Sequence, residues 1–310
     1  MGFNCGDFTV SGKSVTCAEV CVNSFRISRH ILIWDISINN PLRHLRRQDL
    51  TNGSDKPMRD ITMTSLHSTS QNTEMKGYYC RPRESCRPLP GLLLVHGAAG
   101  LNEQMMAHAR SFAAQGYGVL AVDLWGQRRV LNRPEEFAAM ITTMLSDRRQ
   151  WMSRLDAARH SLEQQPDIDP HAIGAVGYCF GGTSVLDYIR TGHRLQAAVS
   201  LHGGLNNVGN DWAVAPDDCR VLILSGVNDL MATQQDLGRI QQGLNDAGIR
   251  WEQTLYGQTR HAFTEPDNPH TPAFARYDLL ADQRSWHSAL GFLAAVLAPK
   301  PQVMTLADVE

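Results

Sequence analysis

The 310-residue sequence has neither an excess of charge of one sign nor a long apolar run. Its 29 Lys and Arg residues nearly balance its 31 Asp and Glu residues, so the strong basic excess typical of nucleic-acid-binding proteins is missing. No run of about 18 apolar residues occurs, which disfavours a membrane span. Hydrophobic residues nevertheless make up 43 % of the chain, enough for a sizeable core. We therefore expect a folded protein whose partner is a small molecule rather than a nucleic acid or a membrane.

The seven cysteines form neither an even disulfide framework nor a metal-binding pattern. An odd count in a chain of this length argues against a disulfide scaffold. No CxxC pair or Cys/His cluster has the spacing of a zinc site, so we expect no metal and no cofactor. The N-terminus lacks the basic-then-apolar order of a secretory signal. Free thiols without such a signal favour the reducing cytoplasm.

The chain divides into three regions that differ in how regular their pattern of polar and apolar residues is. Residues 1–58 show no clean amphipathic period and contain breakers such as Asn39-Asn40-Pro41, so we expect a poorly ordered N-terminal extension. Residues 59–299 have the regular pattern of one α/β domain. Residues 300–310 are expected to form a C-terminal tail.

Within residues 59–299, apolar runs alternate with amphipathic segments. Two stretches of alternating polarity predict an antiparallel pair of strands at 61–66 and 74–79. Apolar runs predict strands buried on both faces at 91–96 and 118–122, and further strands are predicted at 172–176, 197–201, 220–224 and 251–256. Helical periods fall at 102–115, 134–165, 181–190, 233–247 and 275–297. This alternation predicts an α/β fold with a mostly parallel central sheet and helices on both faces.

Cys179 lies between two glycines where a predicted buried strand turns into a helix. The segment has the G-x-nucleophile-x-G form of a nucleophile elbow, with Cys in the place of Ser. The predicted turn is so tight that a Cβ at Gly177 or Gly181 would collide with a neighbouring strand or helix. The N-terminus of the following helix points at the thiol and favours the thiolate. From this motif alone, a buried structural cysteine in a glycine-rich turn is an equal alternative.

Asp229 and His261 each follow a later predicted strand. The chain order of nucleophile, acid and histidine is that of the α/β-hydrolases, and the spacings leave room for one more helix and strand. Taken singly, Asp229 could be a turn residue and His261 a structural one. Together the three residues predict a site in which His261 takes the proton of Cys179 and Asp229 orients the imidazole.

Two backbone N–H groups are predicted to form the oxyanion hole. One belongs to Phe180, directly after the nucleophile, and the other to Ala98, after the strand at 91–96. His96 is expected to be a structural residue at the end of that strand.

Seven segments of residues 59–299 resemble the dienelactone hydrolase family of α/β-hydrolases. They are LLLVHGAAGL (92–101), VDLWG (122–126), GYCFGG (177–182), SLHGGL (200–205), GVND (226–229), HAFT (261–264) and ADQRSW (281–286). The resemblance implies an α/β-hydrolase fold, a Cys179–His261–Asp229 triad and hydrolysis of an ester or lactone. The first 58 residues match nothing in the family.

Two positions depart from the dienelactone-cleaving members of that family. Those members carry a glutamate, which holds the resting thiol, where this chain has Gly97. They also carry an arginine a few residues after the histidine, which binds the substrate carboxylate, where this chain has Glu265 nearby. Because a glutamate repels a carboxylate, the resemblance implies the type of reaction more directly than it implies the substrate of the dienelactone-cleaving members.

We therefore predict a cysteine-dependent hydrolase that cleaves carboxylic esters or lactones through a thioester acyl-enzyme. A thiolate leaves more easily than an alkoxide, so activated esters, enol-lactones and thioesters are the expected substrates. Two alternatives stay open: an acyltransferase that uses the same acyl-enzyme, and a non-catalytic small-molecule receptor on the same fold. The sequence does not determine the oligomeric state.

Overall fold

The computed structural model describes residues 8–10, 13–15, 60–85, 88–213, 219–268 and 271–298. In the unit Met1–Asp55, β1 (Phe8–Val10) pairs antiparallel with β2 (Lys13–Val15), and the sequence pattern did not predict this pair. The rest of the extension expected over residues 1–58 lies outside the described residues, as does the tail expected at 300–310. Both expectations stay predictions.

The second unit, Lys56–Glu310, is built on an eight-stranded sheet. In chain order its strands are β3 (Ile61–Ser70), β4 (Thr73–Pro82), β5 (Leu89–Val95), β6 (Gly118–Val122), β7 (Ile168–Tyr178), β8 (Ala197–Leu201), β9 (Arg220–Gly226) and β10 (Arg250–Tyr256). The spatial order is β10-β9-β8-β7-β5-β6-β4-β3. Strands β5 to β10 run parallel, whereas β4 is antiparallel to its neighbours β3 and β6. The predicted mostly parallel sheet with one antiparallel pair is confirmed.

Helices cover both faces of this sheet. Within the described residues they are α1 (Glu103–Ala114), α2 (Pro134–Ser146), α3 (Arg148–Glu163), α4 (Phe180–Arg190), α5 (Gln234–Asp246) and α6 (Leu279–Leu297). Buried side chains of α1 and α6 form a core on one face, and those of α3, α4 and α5 form a core on the other. The predicted two-faced α/β architecture is therefore confirmed. Among the described helices, none combines the length and the apolar composition that a membrane span requires.

Two of the predicted helices have different bounds in the structure. The helix predicted over 134–165 is two helices, because the chain leaves the helical conformation at Asp147, whose carboxylate accepts a hydrogen bond in the first turn of α3. The last helix begins at Leu279 rather than at residue 275, because Asp278 caps it by accepting from two backbone N–H groups. In both cases a capping aspartate outweighs a continuous amphipathic pattern.

The carboxyl ends of the parallel strands meet along one edge of the sheet. Loops at this edge position ligands and reactive groups in α/β folds. Polar or reactive side chains in the segments beyond these strands include His96 after β5, Cys179 after β7, His202 after β8, Asp229 after β9 and His261 after β10.

Candidate active site

Cys179 occupies a tight turn between β7 and α4. Its φ of +51° lies in a region that residues other than glycine rarely adopt. A Cβ at Gly177 would lie 2.1 Å from the carbonyl oxygen of Gly181, and a Cβ at Gly181 would lie 2.1 Å from that of Val95. Since no real Cβ contact is that short, both glycines are required, as the sequence pattern predicted.

The structure brings the side chains of Cys179, His261 and Asp229 into one chain of hydrogen bonds. His261 Nε2 lies 3.1 Å from Cys179 Sγ, and its Nδ1 lies 2.8 Å from Asp229 Oδ2. The other oxygen of Asp229 accepts from the N–H of Met231 at 2.8 Å. Asp229 and His261 are each 2 % exposed, whereas Cys179 is half-buried. The sulfur is thus the member of the three that a substrate can reach most easily.

The electrostatic surroundings of His261 favour its protonated form. Burial alone lowers its pKa, but the sulfur charge of Cys179 and the hydrogen bond to Asp229 outweigh burial. The pKa of His261 therefore lies well above its ordinary value. Such a ring is suited to hold a proton taken from a thiol.

The two predicted oxyanion donors, Ala98 and Phe180, lie in the loop after β5 and directly after Cys179. The N–H of Phe180 belongs to the first residue of α4, and in the described part of the chain neither it nor the N–H of Ala98 donates to a protein acceptor. The peptide of Ala98 is held in place by Trp125 Nε1, which donates to its carbonyl at 3.2 Å. Both N–H groups are therefore available to a substrate, and their role as oxyanion donors stays a prediction.

His96 forms hydrogen bonds that stabilise the loop of Ala98. Its Nδ1 lies 2.8 Å from the carbonyl oxygen of Gly97, and its Nε2 accepts from the N–H of Leu124 at 3.1 Å. Burial lowers the pKa of His96. Both ring nitrogens thus have backbone partners, which agrees with the structural role expected from the sequence.

His202 connects the nucleophile turn to the loop of His261, a link that the sequence pattern did not reveal. The N–H of Cys179 donates to the carbonyl oxygen of Leu201 at 3.0 Å and to His202 Nδ1 at 3.1 Å. His202 Nε2 lies 2.8 Å from Thr264 Oγ1. Burial and the charge of His261 hold the pKa of His202 well below its ordinary value, so the ring is neutral and carries its hydrogen on Nε2. Its place directly after β8 was the available signal.

Two neighbouring cavities are lined by residues of α1 and by Tyr178, next to Cys179. One includes Gly97 and Glu265 in its lining, and the other, of about 130 Å³, includes Asp282. Both are lined by His108 and Tyr178, whose rings stack with centroids 4.7 Å apart. Nowhere in the described ranges do three or more His, Cys, Asp or Glu side chains form a group that could hold a metal ion.

Comparison with known proteins defines the class. The structure is similar to a dienelactone hydrolase-like promiscuous phosphotriesterase from metagenomic libraries, with a TM-score of 0.71, 27 % identity and coverage of 76 % of this chain and 98 % of that one. An Escherichia coli (strain K12) protein that bears the name carboxymethylenebutenolidase is 27 % identical over 235 residues, which is 72 % of this chain and 85 % of the relative. A Bradyrhizobium protein named as a 2-oxo-3-(5-oxofuran-2-ylidene)propanoate lactonase is 25 % identical over 236 residues, 73 % of this chain and 91 % of the relative. The fold is that of an α/β-hydrolase.

A narrower assignment follows from the family model. The model of the dienelactone hydrolase family matches residues 75–297, which is most of the chain. The protein belongs to the dienelactone hydrolase family, and its activity is hydrolysis of ester or lactone bonds.

Proposed function

We propose that the protein is a cysteine hydrolase that cleaves its substrate through a thioester acyl-enzyme on Cys179. The observation that carries this proposal is the continuous pair of hydrogen bonds at His261, 3.1 Å to the sulfur and 2.8 Å to Asp229. Nucleophile, base and orienting acid must be within hydrogen-bond reach of one another for this chemistry.

The reaction then has two halves. His261 takes the thiol proton, and the sulfur of Cys179 attacks the carbonyl carbon while the N–H groups of Ala98 and Phe180 stabilise the negative oxygen. When the intermediate collapses, the bond to the leaving oxygen breaks and that oxygen takes the proton from His261. A water molecule that gives its proton to His261 next attacks the thioester, which releases the acid and restores the thiol.

The leaving group decides which substrates this mechanism favours. In the first intermediate the sulfur competes with the substrate oxygen for expulsion. A thiol has a pKa of about 8.5, whereas a simple alcohol is far less acidic, so the intermediate formed from an alkyl ester tends to expel the sulfur and return to starting material. Enol-lactones, aryl esters and thioesters have better leaving groups, and we expect them to be preferred.

Matched aryl and ethyl esters of one acid test the mechanism in three forms of the protein. The wild type should cleave the aryl ester with a higher kcat/KM, and Cys179→Ala should lose at least about 10³-fold. Cys179→Ser should be slow on both esters but less selective for the aryl ester, because serine removes the leaving-group handicap. Equal rates on both esters in the wild type, or full activity in Cys179→Ala, would contradict the proposal.

The same assay separates hydrolysis from acyl transfer. A range of alcohols is added to the aryl-ester reaction, and the acid and new ester products are quantified. A hydrolase forms mainly acid at low alcohol concentration. New ester as the main product would favour the acyltransferase alternative.

A cytoplasmic location is the second part of the proposal. Cys80 and Cys179 are free thiols, which are typical of a reducing compartment. Subcellular fractionation followed by immunoblotting tests the location, and recovery in a secreted fraction would contradict it.

A further inference from the structure

The carboxyl group of Glu265 occupies the space beside the nucleophile that Gly97 leaves open. A Cβ built on Gly97 would lie 3.1 Å from Cβ of Cys179 and 3.3 Å from Oε1 of Glu265. Both contacts are tighter than ordinary Cβ contacts. The carboxyl and the nucleophile therefore face each other across a residue that has no side chain.

Backbone hydrogen bonds fix the turn that carries Glu265. Its N–H donates to the carbonyl oxygen of Ala262 at 2.9 Å, and Ala262 itself has a φ of +55°. From α1, Gln104 Nε2 donates to the carbonyl oxygen of Thr264 at 2.9 Å. These bonds fix the backbone from which the Glu265 side chain lines the cavity that includes Gly97, with its carboxyl near Gly97 and Cys179.

The charges around this space are unfavourable for an anion. The described lining of the two cavities contains the carboxyl groups of Glu265 and Asp282 and no lysine or arginine. Burial raises the pKa of both carboxyls, and for Glu265 it outweighs the opposing charge of His261. A carboxylate placed here would lose solvent, lie close to another acid and find no lysine or arginine in the described lining, while the His261 ring is already bound to Asp229 and Cys179.

We infer that Glu265 determines the substrate charge class, so that the site accepts esters and lactones with an uncharged acyl portion and rejects those with a carboxylate there. This inference rests on the proposed function and extends it to the substrate. The E. coli and Bradyrhizobium relatives bear names that specify carboxymethylene and propanoate compounds. The substrate of this protein therefore differs in charge from the compounds in those names.

Three aryl esters of similar size test the inference in the full-length protein. Their acyl chains end in a carboxamide, a carboxylate or a trimethylammonium group, and kcat/KM is measured at about pH 8, where the carboxylate of the substrate is ionised. After subtraction of the uncatalysed rate, the wild type should prefer the carboxamide over the carboxylate by about tenfold or more. The trimethylammonium ester should also be cleaved faster than the carboxylate ester.

The variant Glu265→Gln tests whether the side chain of Glu265 causes the preference for carboxamide over carboxylate. This nearly isosteric change should reduce the ratio of kcat/KM for the carboxamide to that for the carboxylate at least about threefold. Glu103→Gln is the matched control, because it removes the same charge from the exposed first residue of α1 and should leave the preference unchanged.

The outcomes distinguish the inference from the function on which it rests. Equal rates on the carboxamide and carboxylate in the wild type would overturn the inference while the hydrolase proposal stands. The same holds for a preference that Glu265→Gln leaves intact. If none of the three esters is cleaved in a Cys179-dependent manner, the proposed function itself fails. The wild-type order tests the charge class even if a variant folds poorly.

Discussion

His261 is a buried imidazole whose charge depends on its two neighbours. Burial lowers its pKa, and the charge on Cys179 is the largest contribution that raises it. Cys179→Ala removes that contribution and leaves the burial, so the pKa of His261 should fall. The imidazolium of the wild type should persist to higher pH, whereas the ring of the variant should become neutral at lower pH.

NMR titration of the histidine ring resonances measures this shift. Cys80→Ala is the matched control, because Cys80 is fully buried in β4 and is not among the groups that set the pKa of His261. That variant should titrate like the wild type at His261. A pKa of His261 that stays the same or rises in Cys179→Ala would contradict the electrostatic account of the site.

At the scale of elements, the glycines of the nucleophile turn have no room for a side chain. In Gly177→Ala the new Cβ would meet the carbonyl of Gly181 at 2.1 Å, and backbone cannot move aside cheaply. We expect a loss of at least about 2 kcal/mol in the free energy of unfolding. Gly238→Ala in α5 is the matched control, because its Cβ would meet nothing within 4 Å, and it should stabilise the protein by about 0.5–1 kcal/mol.

Urea denaturation followed by circular dichroism compares the two variants. We expect the highest urea midpoint for Gly238→Ala, an intermediate midpoint for the wild type and the lowest for Gly177→Ala. If Gly177→Ala unfolds at the wild-type midpoint, the nucleophile turn is less tightly packed than the structure indicates.

The bridge through His202 joins two elements that lie far apart in the sequence. Because His202 binds the N–H of Cys179 on one side and Thr264 on the other, it positions the nucleophile turn relative to the His261 loop. Thr264→Val removes one end of the bridge with little change of shape, and it should lower kcat several-fold with a smaller effect on KM. In a His202→Asn background the same change should have almost no further effect, because the bridge is already broken.

A double-mutant cycle on kcat is the appropriate measurement. Effects of the two substitutions that simply add would show that His202 and Thr264 act independently. In that case His202 fills space in the core and does not position the reacting groups.

These elements also show what the sequence pattern could predict. Strands buried on both faces, such as β6 and β8, appear as continuous apolar runs, and their predicted bounds match the structure. Cys179, Asp229 and His261 could be selected because each follows a predicted strand at the same edge of the sheet. The break at Asp147 was missed because a helix cap depends on one hydrogen bond that an amphipathic pattern does not record.

The site contacts between distant loops could not be predicted in this way. Glu265 reaches the nucleophile only because Gly97, on another loop, has no side chain. In the sequence, Gly97 and Glu265 depart from the family pattern at two separate positions. They become neighbours only when the chain folds. The role of His202 was missed for the same reason, because its two partners, Cys179 and Thr264, lie far apart in the sequence.

At the scale of the whole molecule, the sheet and every candidate site residue belong to the unit Lys56–Glu310. We expect a chain that begins at Met58 to fold and to keep kcat/KM within about twofold of the full-length value, because β3 begins only at Ile61. A chain that begins at Thr73 is the control. It lacks β3, which pairs with β4 over its whole length, so it would expose a long strand edge and should aggregate.

Soluble yield, the thermal unfolding midpoint and aryl-ester hydrolysis are compared for the three chains. Loss of solubility or activity in the chain that begins at Met58 would show that residues before it contribute to the folded enzyme, and the domain boundary predicted at residue 58 would then be wrong.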